Sequence, residues 1–315
     1  MFGTALSALG DRLDTKFLTA YWTPSFVGAL LGLVLYARVA GPAEVRDWLG
    51  GLDSVGQGLV TMVVLLCVTV LGFVLQALSH TVVAFFSGAL APRAVVGWMR
   101  QSQAGRQSRA ARLAAAGPLL AGGGLPTAVE VQAWLGKQYP DDAAATMPTR
   151  LGNILAAATE HPRRAYLMDG LVWWPRLAAV APAAFGEALG SAQAAMMGLL
   201  NLSVALALWA VGAAVVLGPG TGDWRVAAGC LVVGLAAANL CQRAALGQAQ
   251  ELGTQLRVGF DLYRHEILRQ MDVDVPADPD DERALWRQLT LELLGAPDAV
   301  PAAPSKAPDS GAASA

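Results

Sequence analysis

The segment "GLVTMVVLLCVTVLGFVLQALSHTVVAFFSGALA", residues 58–91, decides the fold class of this chain. Neither Asp, Glu, Lys nor Arg occurs from Ser54 through Pro92. A helix needs about 20 apolar residues to cross a bilayer core of about 30 Å. The segment therefore predicts a membrane-spanning helix, with residues to spare at the far end of the span.

The composition of the whole chain agrees with a membrane protein. Of its 315 residues, 55% are hydrophobic and only 15% are charged, and the mean hydropathy is +0.45. Soluble domains average about 25% charged residues. The net charge of −2 argues against a nucleic-acid partner. Three cysteines lie in apolar stretches without a paired spacing, which indicates small buried side chains rather than disulfides or metal ligands.

Three further apolar stretches predict three more spans. The first covers residues 24–40 and is entered through Tyr21 and Trp22, which suit a membrane interface. The others cover residues 194–217 and 226–242, and the Gly-Pro-Gly sequence between them predicts the turn of a hairpin. We therefore expect an all-α membrane protein with four transmembrane helices and a cytoplasmic helical region.

Lysine and arginine predict the orientation. Ten of them lie between residues 92 and 193, while Arg46 and Arg225 alone lie in the two short loops on the other side. By the positive-inside rule, both termini and the long middle segment are cytoplasmic. We expect a multi-pass protein of a bacterial inner (cell) membrane, whose partners are the lipid bilayer and further copies of itself.

These expectations divide the chain into six parts. They are an amphipathic N-terminal helix (1–20), the first two spans (21–91), a cytoplasmic helical insertion (92–193), a hairpin of the last two spans (194–245), cytoplasmic C-terminal helices (246–295) and a disordered tail (296–315).

Within the insertion, Arg106, Arg109 and Arg112 form a basic flank that suits either anionic headgroups or a solvated helix face. Further on, we expect a helix over 151–159, a break at Pro162 and a second helix that ends near Pro175. After the fourth span, an apolar seam continues the helical spacing until Pro276. Asp278 followed by Pro279 predicts the start of another helix.

The segment "TRLGNILAAATEHPRRAYLMDGLVWWPRL", residues 149–177, resembles one found in an uncharacterised bacterial family of four-span membrane proteins. The stretches "KFLTAYWTP" and "FDLYRHEILRQ" are similar to that family too. The resemblance implies a shared fold but supplies no activity. In layout alone, the chain is similar to bestrophin-type channels. The residues that carry the main resemblance include Arg150, Asn153, Tyr166, Asp169, Trp174 and Arg176.

Polar residues interrupt the second span at helical spacing. At about 100° per residue, six of them share one stripe of about 100° with Gly72: Thr61, Thr69, Gln76, Ser79, His80 and Ser87. Asn201 and Asn239 are candidate partners on the last two spans. The stripe is either a hydrogen-bonded packing seam or the lining of an aqueous path, for which Phe85 and Phe86 would form a constriction.

The sequence shows no motif for a metal, a cofactor or an enzyme. His80, His161 and His265 lack a metal-ligand spacing, and no glycine-rich loop matches a nucleotide fingerprint. Glu160, His161 and Asp169 are an acid/base candidate, but we expect ion pairs in this segment instead. The leading hypothesis is an oligomeric channel lined by the second span. The alternatives are a membrane-anchored module that recruits a cytoplasmic protein, and a membrane enzyme.

Overall fold

The computed structural model describes residues 14–116, 128–142 and 145–295, and every regular element in these ranges is helical. Most of the expected N-terminal amphipathic helix, and the whole tail from residue 296, lie outside the described residues. After a short turn at Thr15–Phe17 and a π-helix at Leu18–Trp22, the helices are α1 (Thr23–Ala40), α2 (Pro42–Gly50), α3 (Ser54–Ala77), α4 (Ser79–Ser87), α5 (Arg93–Ala116), α6 (Ala128–Gln138), α7 (Arg150–Tyr166), α8 (Gly170–Val180), α9 (Ala183–Thr221), α10 (Trp224–Gln270) and α11 (Pro279–Leu293).

Four helical stretches are long and apolar enough to cross a membrane: Thr15–Ala40, Ser54–Ala77, Ala183–Thr221 and Trp224–Gln270. They confirm the prediction of an all-α, multi-pass membrane protein. The first stretch begins earlier than expected, because the π-helix runs directly into α1. The last two are also longer than the predicted spans, so α9 begins well before residue 194 and α10 continues beyond residue 245.

The helices form two compact units. Unit 1 comprises Met1–Ala158 and Pro182–Leu256 and contains all of α1–α6 and α9. Unit 2 comprises Thr159–Ala181 and Arg257–Ala315 and contains α8, α11 and the ends of α7 and α10.

Unit 1 is held together by close backbone approach between α9 and the N-terminal helical turns. A Cβ atom added at Gly198 would lie only 2.5 Å from the Thr19 carbonyl oxygen, so only glycine fits without a shift. One turn further on, Asn201 donates from Nδ2 to the Ala20 carbonyl at 2.8 Å. Small residues that admit a neighbouring backbone, together with polar side chains that bond it, are the usual means of helix association in membranes.

The second span is divided, contrary to the expected single helix over 58–91. Helix α3 ends at Ala77, Leu78 leaves helical geometry with φ −86° and ψ 3°, and α4 begins at Ser79. Helix α4 then ends at Gly88, whose φ of +81° suits glycine. A projection that assumes one continuous helix therefore applies only as far as Ala77.

The expected turn at residues 218–220 is wrong, because α9 continues through Pro219 to Thr221. The chain turns at Gly222, which has φ +74°. Gly222 N donates to the Gly218 carbonyl and Asp223 N to the Leu217 carbonyl, which closes the helix end. Pro219 therefore lies within the last turn of α9.

The expected break at Pro162 is also wrong. Helix α7 passes through Pro162 and ends at Tyr166, after which Leu167 adopts a φ of +59°. Met168 N donates to the Pro162 carbonyl at 3.2 Å, so the proline lies inside the closing turn rather than causing it. Helix α8 begins after Asp169 and contains Pro175, whereas we had expected a helix that ends near this proline.

Unit 2 has a core of its own. Trp173 and Trp286 are fully buried and pack edge to face, with ring centroids 4.9 Å apart. The expected start of α11 is confirmed, since Asp278 accepts a hydrogen bond from Asp280 N at 2.8 Å. The core also contains Phe260 and Ile267 from the apolar seam predicted after the fourth span, whereas Met271 of that seam is exposed.

Candidate functional site

The polar residues of the second span differ in burial: some lie against the N-terminal turns and others are exposed. Thr69 lies against the N-terminal turns, where its hydroxyl donates to the Leu65 carbonyl and accepts a hydrogen bond from Trp22 Nε1 at 3.3 Å. The neighbouring Gly72 is buried, and a Cβ atom there would lie 3.3 Å from the ring of Phe17. Thr61 is half-buried and donates to its own helix at the Gln57 carbonyl. Thr69 and Gly72 thus form a packing seam within the chain, whereas Thr61 bonds its own helix.

Gln76 and His80, in contrast, are exposed in the single chain. They flank Leu78, the residue at which the second span is divided. Ser79 between them is half-buried. The surrounding α3 surface is apolar, with Val70, Phe73 and other large side chains exposed. Gln76 and His80 are therefore polar groups on a surface that is mostly apolar, with Thr81 exposed beside His80.

Phe85 and Phe86, which follow in α4, differ in exposure. Phe86 is buried, while 65% of the surface of Phe85 is exposed, and the two rings meet edge to face at 5.3 Å. Ser87 is buried and donates to the Ala84 carbonyl. Phe85 is thus free to contact a neighbouring molecule, whereas Phe86 belongs to the interior of unit 1.

The two asparagines of the last spans also differ. Asn201 is buried, and its Oδ1 has no hydrogen-bond partner among the described residues, although its Nδ2 bonds Ala20. Asn239 is exposed on α10. The buried polar contact between α9 and α10 is made by Ser203, which donates to the Ala238 carbonyl at 2.9 Å. Neither asparagine contacts the stripe through a hydrogen bond that the described residues show.

The first part of the family-like segment anchors the end of α4. The Thr149 hydroxyl donates to the Phe86 carbonyl at 2.7 Å and accepts from Gly152 N, which caps α7. Gly152 approaches so closely that a Cβ atom there would lie 2.6 Å from the Ser87 carbonyl oxygen. Thr149, Gly152 and the α4 end define a feature that we call the α4 anchor.

Asn153 holds the loop of the α4 anchor in place. Its fully buried side chain accepts from Met147 N at 2.7 Å and donates to the carbonyls of Met147 and Thr149. This uses both the acceptor and the donors of the amide. Arg150 beside it is exposed. The "TRLGN" motif thus has a structural explanation that depends on the backbone of α4.

The second part of the segment builds unit 2. Asp169 caps α8 by accepting from Leu171 N and Val172 N. Arg176 donates to the Val172 carbonyl and lies over the ring of Trp173, 5.5 Å from its centroid. Trp174 is half-buried and packs near Phe260. Asp169 therefore caps α8, and Arg176 packs on the ring of Trp173.

A polar network crosses unit 2 from α7 to α11. Asp261 accepts from Tyr166 Oη at 2.7 Å and bonds His161 Nε2 at 2.8 Å. Arg264 lies over the Tyr166 ring, 4.2 Å from its centroid, and donates to Glu282 at 2.8 Å. The same Glu282 oxygen also bonds His265 and Trp286. Since His161 bonds Asp261 and Asp169 caps α8, the residues first considered as an acid/base group do not form one through these bonds.

The network shifts two pKa values. Burial, together with the hydrogen bond to Asp261, raises the pKa of Tyr166 to about 12, which keeps the phenol neutral. Burial also tends to raise the pKa of Glu282, but the hydrogen bonds from Arg264 and Trp286 outweigh it, so the pKa of this carboxyl lies below its usual range. A neutral tyrosine and a charged, triply bonded glutamate favour a rigid, structural network.

Sequence reasoning missed the partners in this network. Asp261 and Arg264 lie in "FDLYRHEILRQ", whose sequence predicts no contact with residues 161–166, and Glu282 lies in a helix start where an acidic residue is ordinary. Among the described residues, no group of three or more His, Cys, Asp or Glu side chains is placed to hold a metal ion. In comparisons with known proteins, the chain matches no family model, no curated protein and no solved structure.

Proposed function

We propose that the protein is an oligomeric channel of a bacterial inner membrane, in which copies of α3 and α4 line the pathway. The observation that carries the proposal is the exposure of Gln76 and His80 on a mostly apolar surface. Polar side chains within a membrane usually face a bundle interior or a water-filled cavity. In a single chain these two face neither, so another copy or an aqueous path is their natural environment.

The packing of α3 supports the same arrangement. One side of α3, with Val68 and Gly72, is buried against the N-terminal turns. The other side exposes large apolar residues, and α3 carries no Asp, Glu, Lys or Arg. Pumps and ion-coupled carriers usually place carboxylates in the membrane. A passive pore needs none, because polar linings and hydrophobic constrictions suffice. Phe85, exposed beyond His80, supplies such a constriction in this proposal.

The native Cys67 provides a matched control within α3. It is exposed, so the expectation of buried cysteines is wrong for this residue. It lies nine positions before Gln76, which places it about 180° away on a helix of about 100° per residue. Cys67 therefore faces lipid in the assembly if Gln76 faces the pathway. A cysteine at each position shows whether its side of the helix faces water. The reason is that the thiol reagent reacts with the thiolate, which forms in water and not in lipid.

The test compares Gln76→Cys in a Cys67→Ser, Cys230→Ser, Cys241→Ser background with a variant that retains only Cys67. Both full-length proteins are reconstituted in liposomes, and ion flux is measured before and after a charged, water-soluble thiol reagent. We expect flux from both variants and a change on labelling for Gln76→Cys alone. The proposal fails if reconstituted protein of every oligomeric state shows no flux, or if the two thiols react alike.

A second candidate is a membrane-anchored module that recruits a cytoplasmic protein. It is favoured by unit 2, which has its own buried core around Trp173 and Trp286. The positive-inside asymmetry of the sequence supports a cytoplasmic location for this unit. Under this candidate, replacing the spans with unrelated ones preserves function, whereas the channel requires its own α3.

A further inference from the structure

We propose that the exposed face of α5 binds anionic phospholipid headgroups of the bilayer that the four spans cross. The helix is strongly basic and contains neither Asp nor Glu over its 24 residues. Its five arginines are Arg93, Arg100, Arg106, Arg109 and Arg112. The inference does not depend on the channel proposal, since it concerns a surface outside the stripe of α3 and α4.

Five of the exposed residues of α5 share one face. At about 100° per residue, an arc of about 80° on the helical wheel contains five of them. They are Val95, Trp98, Ser102, Arg106 and Arg109. Of these, Trp98 has 71% and Val95 has 43% of its surface exposed. We call this set the α5 face. It combines an aromatic ring and an aliphatic side chain with two guanidinium groups.

The side of α5 next to this face, about 90° around the helix, is held by the protein. Gln103 is buried and donates from Nε2 to the Pro148 carbonyl at 3.5 Å. Val96 and Met99 on that side are half-buried. The helix therefore contacts unit 1 through the side with Gln103, while the residues of the adjacent α5 face remain exposed.

The mixed chemistry of the α5 face favours lipid over other anions. Arginine forms paired hydrogen bonds with phosphate, and basic residues near a membrane are attracted to anionic headgroups. Tryptophan is enriched at the membrane interface, where its ring and N–H meet different environments. RNA or an acidic protein would satisfy Arg106 and Arg109 but would provide no acyl boundary for Val95 and Trp98.

The chain also keeps α5 near the membrane. Only residues 78–92 separate it from the end of α3, and Ser79–Ser87 of these are coiled into α4. Since a helical residue advances only about 1.5 Å, this tether is short. The headgroup layer of the same bilayer is therefore the anionic surface nearest to α5.

The test measures quenching of Trp98 by brominated lipids. Full-length protein is reconstituted in nanodiscs of phosphatidylcholine alone or mixed with phosphatidylglycerol, with the bromine atoms near the headgroup. The contribution of Trp98 is the difference between the unmodified protein and Trp98→Phe. We expect this contribution to be quenched strongly in the anionic discs, weakly in the neutral discs, and less as salt is raised.

Arg106→Gln combined with Arg109→Gln tests the charge, and Arg269→Gln combined with Arg287→Gln is the matched control. The control arginines are exposed too, on α10 and α11. We expect the ratio of docked to undocked α5 to fall roughly thirtyfold in the first variant, about fivefold for each arginine, and to stay unchanged in the control.

Equal quenching in neutral and anionic discs would overturn the proposal. The proposal would also be overturned if Trp98 were quenched in neither disc while heparin protected the α5 backbone amides from hydrogen exchange. That result would show that α5 binds a soluble polyanion and not lipid.

Discussion

At the scale of single residues, backbone contacts explain Gly152 and Asn153 of segment 149–177. Gly152 is glycine because the Ser87 carbonyl lies where a Cβ atom would be. Asn153 is asparagine because the loop offers it one N–H and two carbonyls. An aspartate would accept from the N–H but could not donate to the carbonyls. The local backbone geometry therefore explains why glycine and asparagine occupy these two positions.

We expect Gly152→Ala to destabilise the protein by about 1–3 kcal/mol, as overpacking of a filled site does. The methyl group would lie 2.6 Å from a backbone oxygen and 2.7 Å from the Met147 Cβ, so a shift of backbone is needed. The control is Gly186→Ala, at a position in α9 where nothing lies within 4 Å. It should be neutral or stabilising by up to about 1 kcal/mol. The measurement is thermal unfolding in detergent, and equal effects of the two substitutions would refute the explanation.

At the scale of elements, one carboxylate of α11 is bonded directly by α10. A single oxygen of Glu282 bonds Arg264 and His265 from α10 and Trp286 from its own helix. Its side chain is only 12% exposed, so the bonds are shielded from water. Charged hydrogen bonds of this kind contribute about 1.5–3 kcal/mol each when they are buried. The network is the polar counterpart of the tryptophan core beside it.

We expect Glu282→Gln to destabilise unit 2 by about 2 kcal/mol at pH 7, because a neutral amide accepts these bonds less strongly. The pKa of Glu282 is lower in the folded protein than in the unfolded chain, where it is about 4.3. Its contribution to stability is therefore full above about pH 4.3 and is lost as the pH falls towards the folded pKa.

The difference between the unmodified protein and Glu282→Gln should consequently shrink below about pH 4.3. It is followed by tryptophan fluorescence during thermal unfolding, since Trp173 and Trp286 report on the core of unit 2. Glu292→Gln is the control, because Glu292 is exposed and bonds only Gln288 among the hydrogen bonds described for it. A difference that is constant with pH would show that the Glu282 charge is irrelevant.

At the scale of the whole molecule, the exposed polar residues of α3 and α4 lead to an expectation about assembly. Four helices pack too closely to enclose a pathway, so the channel proposal requires several copies around an axis. We expect full-length protein in mild detergent to have the mass of three or more chains by native mass spectrometry. A protein that remains a monomer at every concentration tested would contradict this expectation, and with it the channel.

The sequence alone determined the membrane class of the protein, the approximate positions of the four spans and the start of α11. These follow from local properties, because length, apolar composition and a capping residue act within one segment. The helix ends were harder to predict. Pro162 and Pro219 are strong signals for a break, yet both lie inside helices that close a few residues later.

Only the tertiary structure decided how the polar residues are used. Thr69 and Gln76 belong to the same predicted stripe, but Thr69 bonds Trp22 while Gln76 is exposed. His161 finds Asp261, which is 100 positions away in the chain. Such pairings depend on which helices pack together and at what distance, and the composition and spacing of one segment carry no information about either.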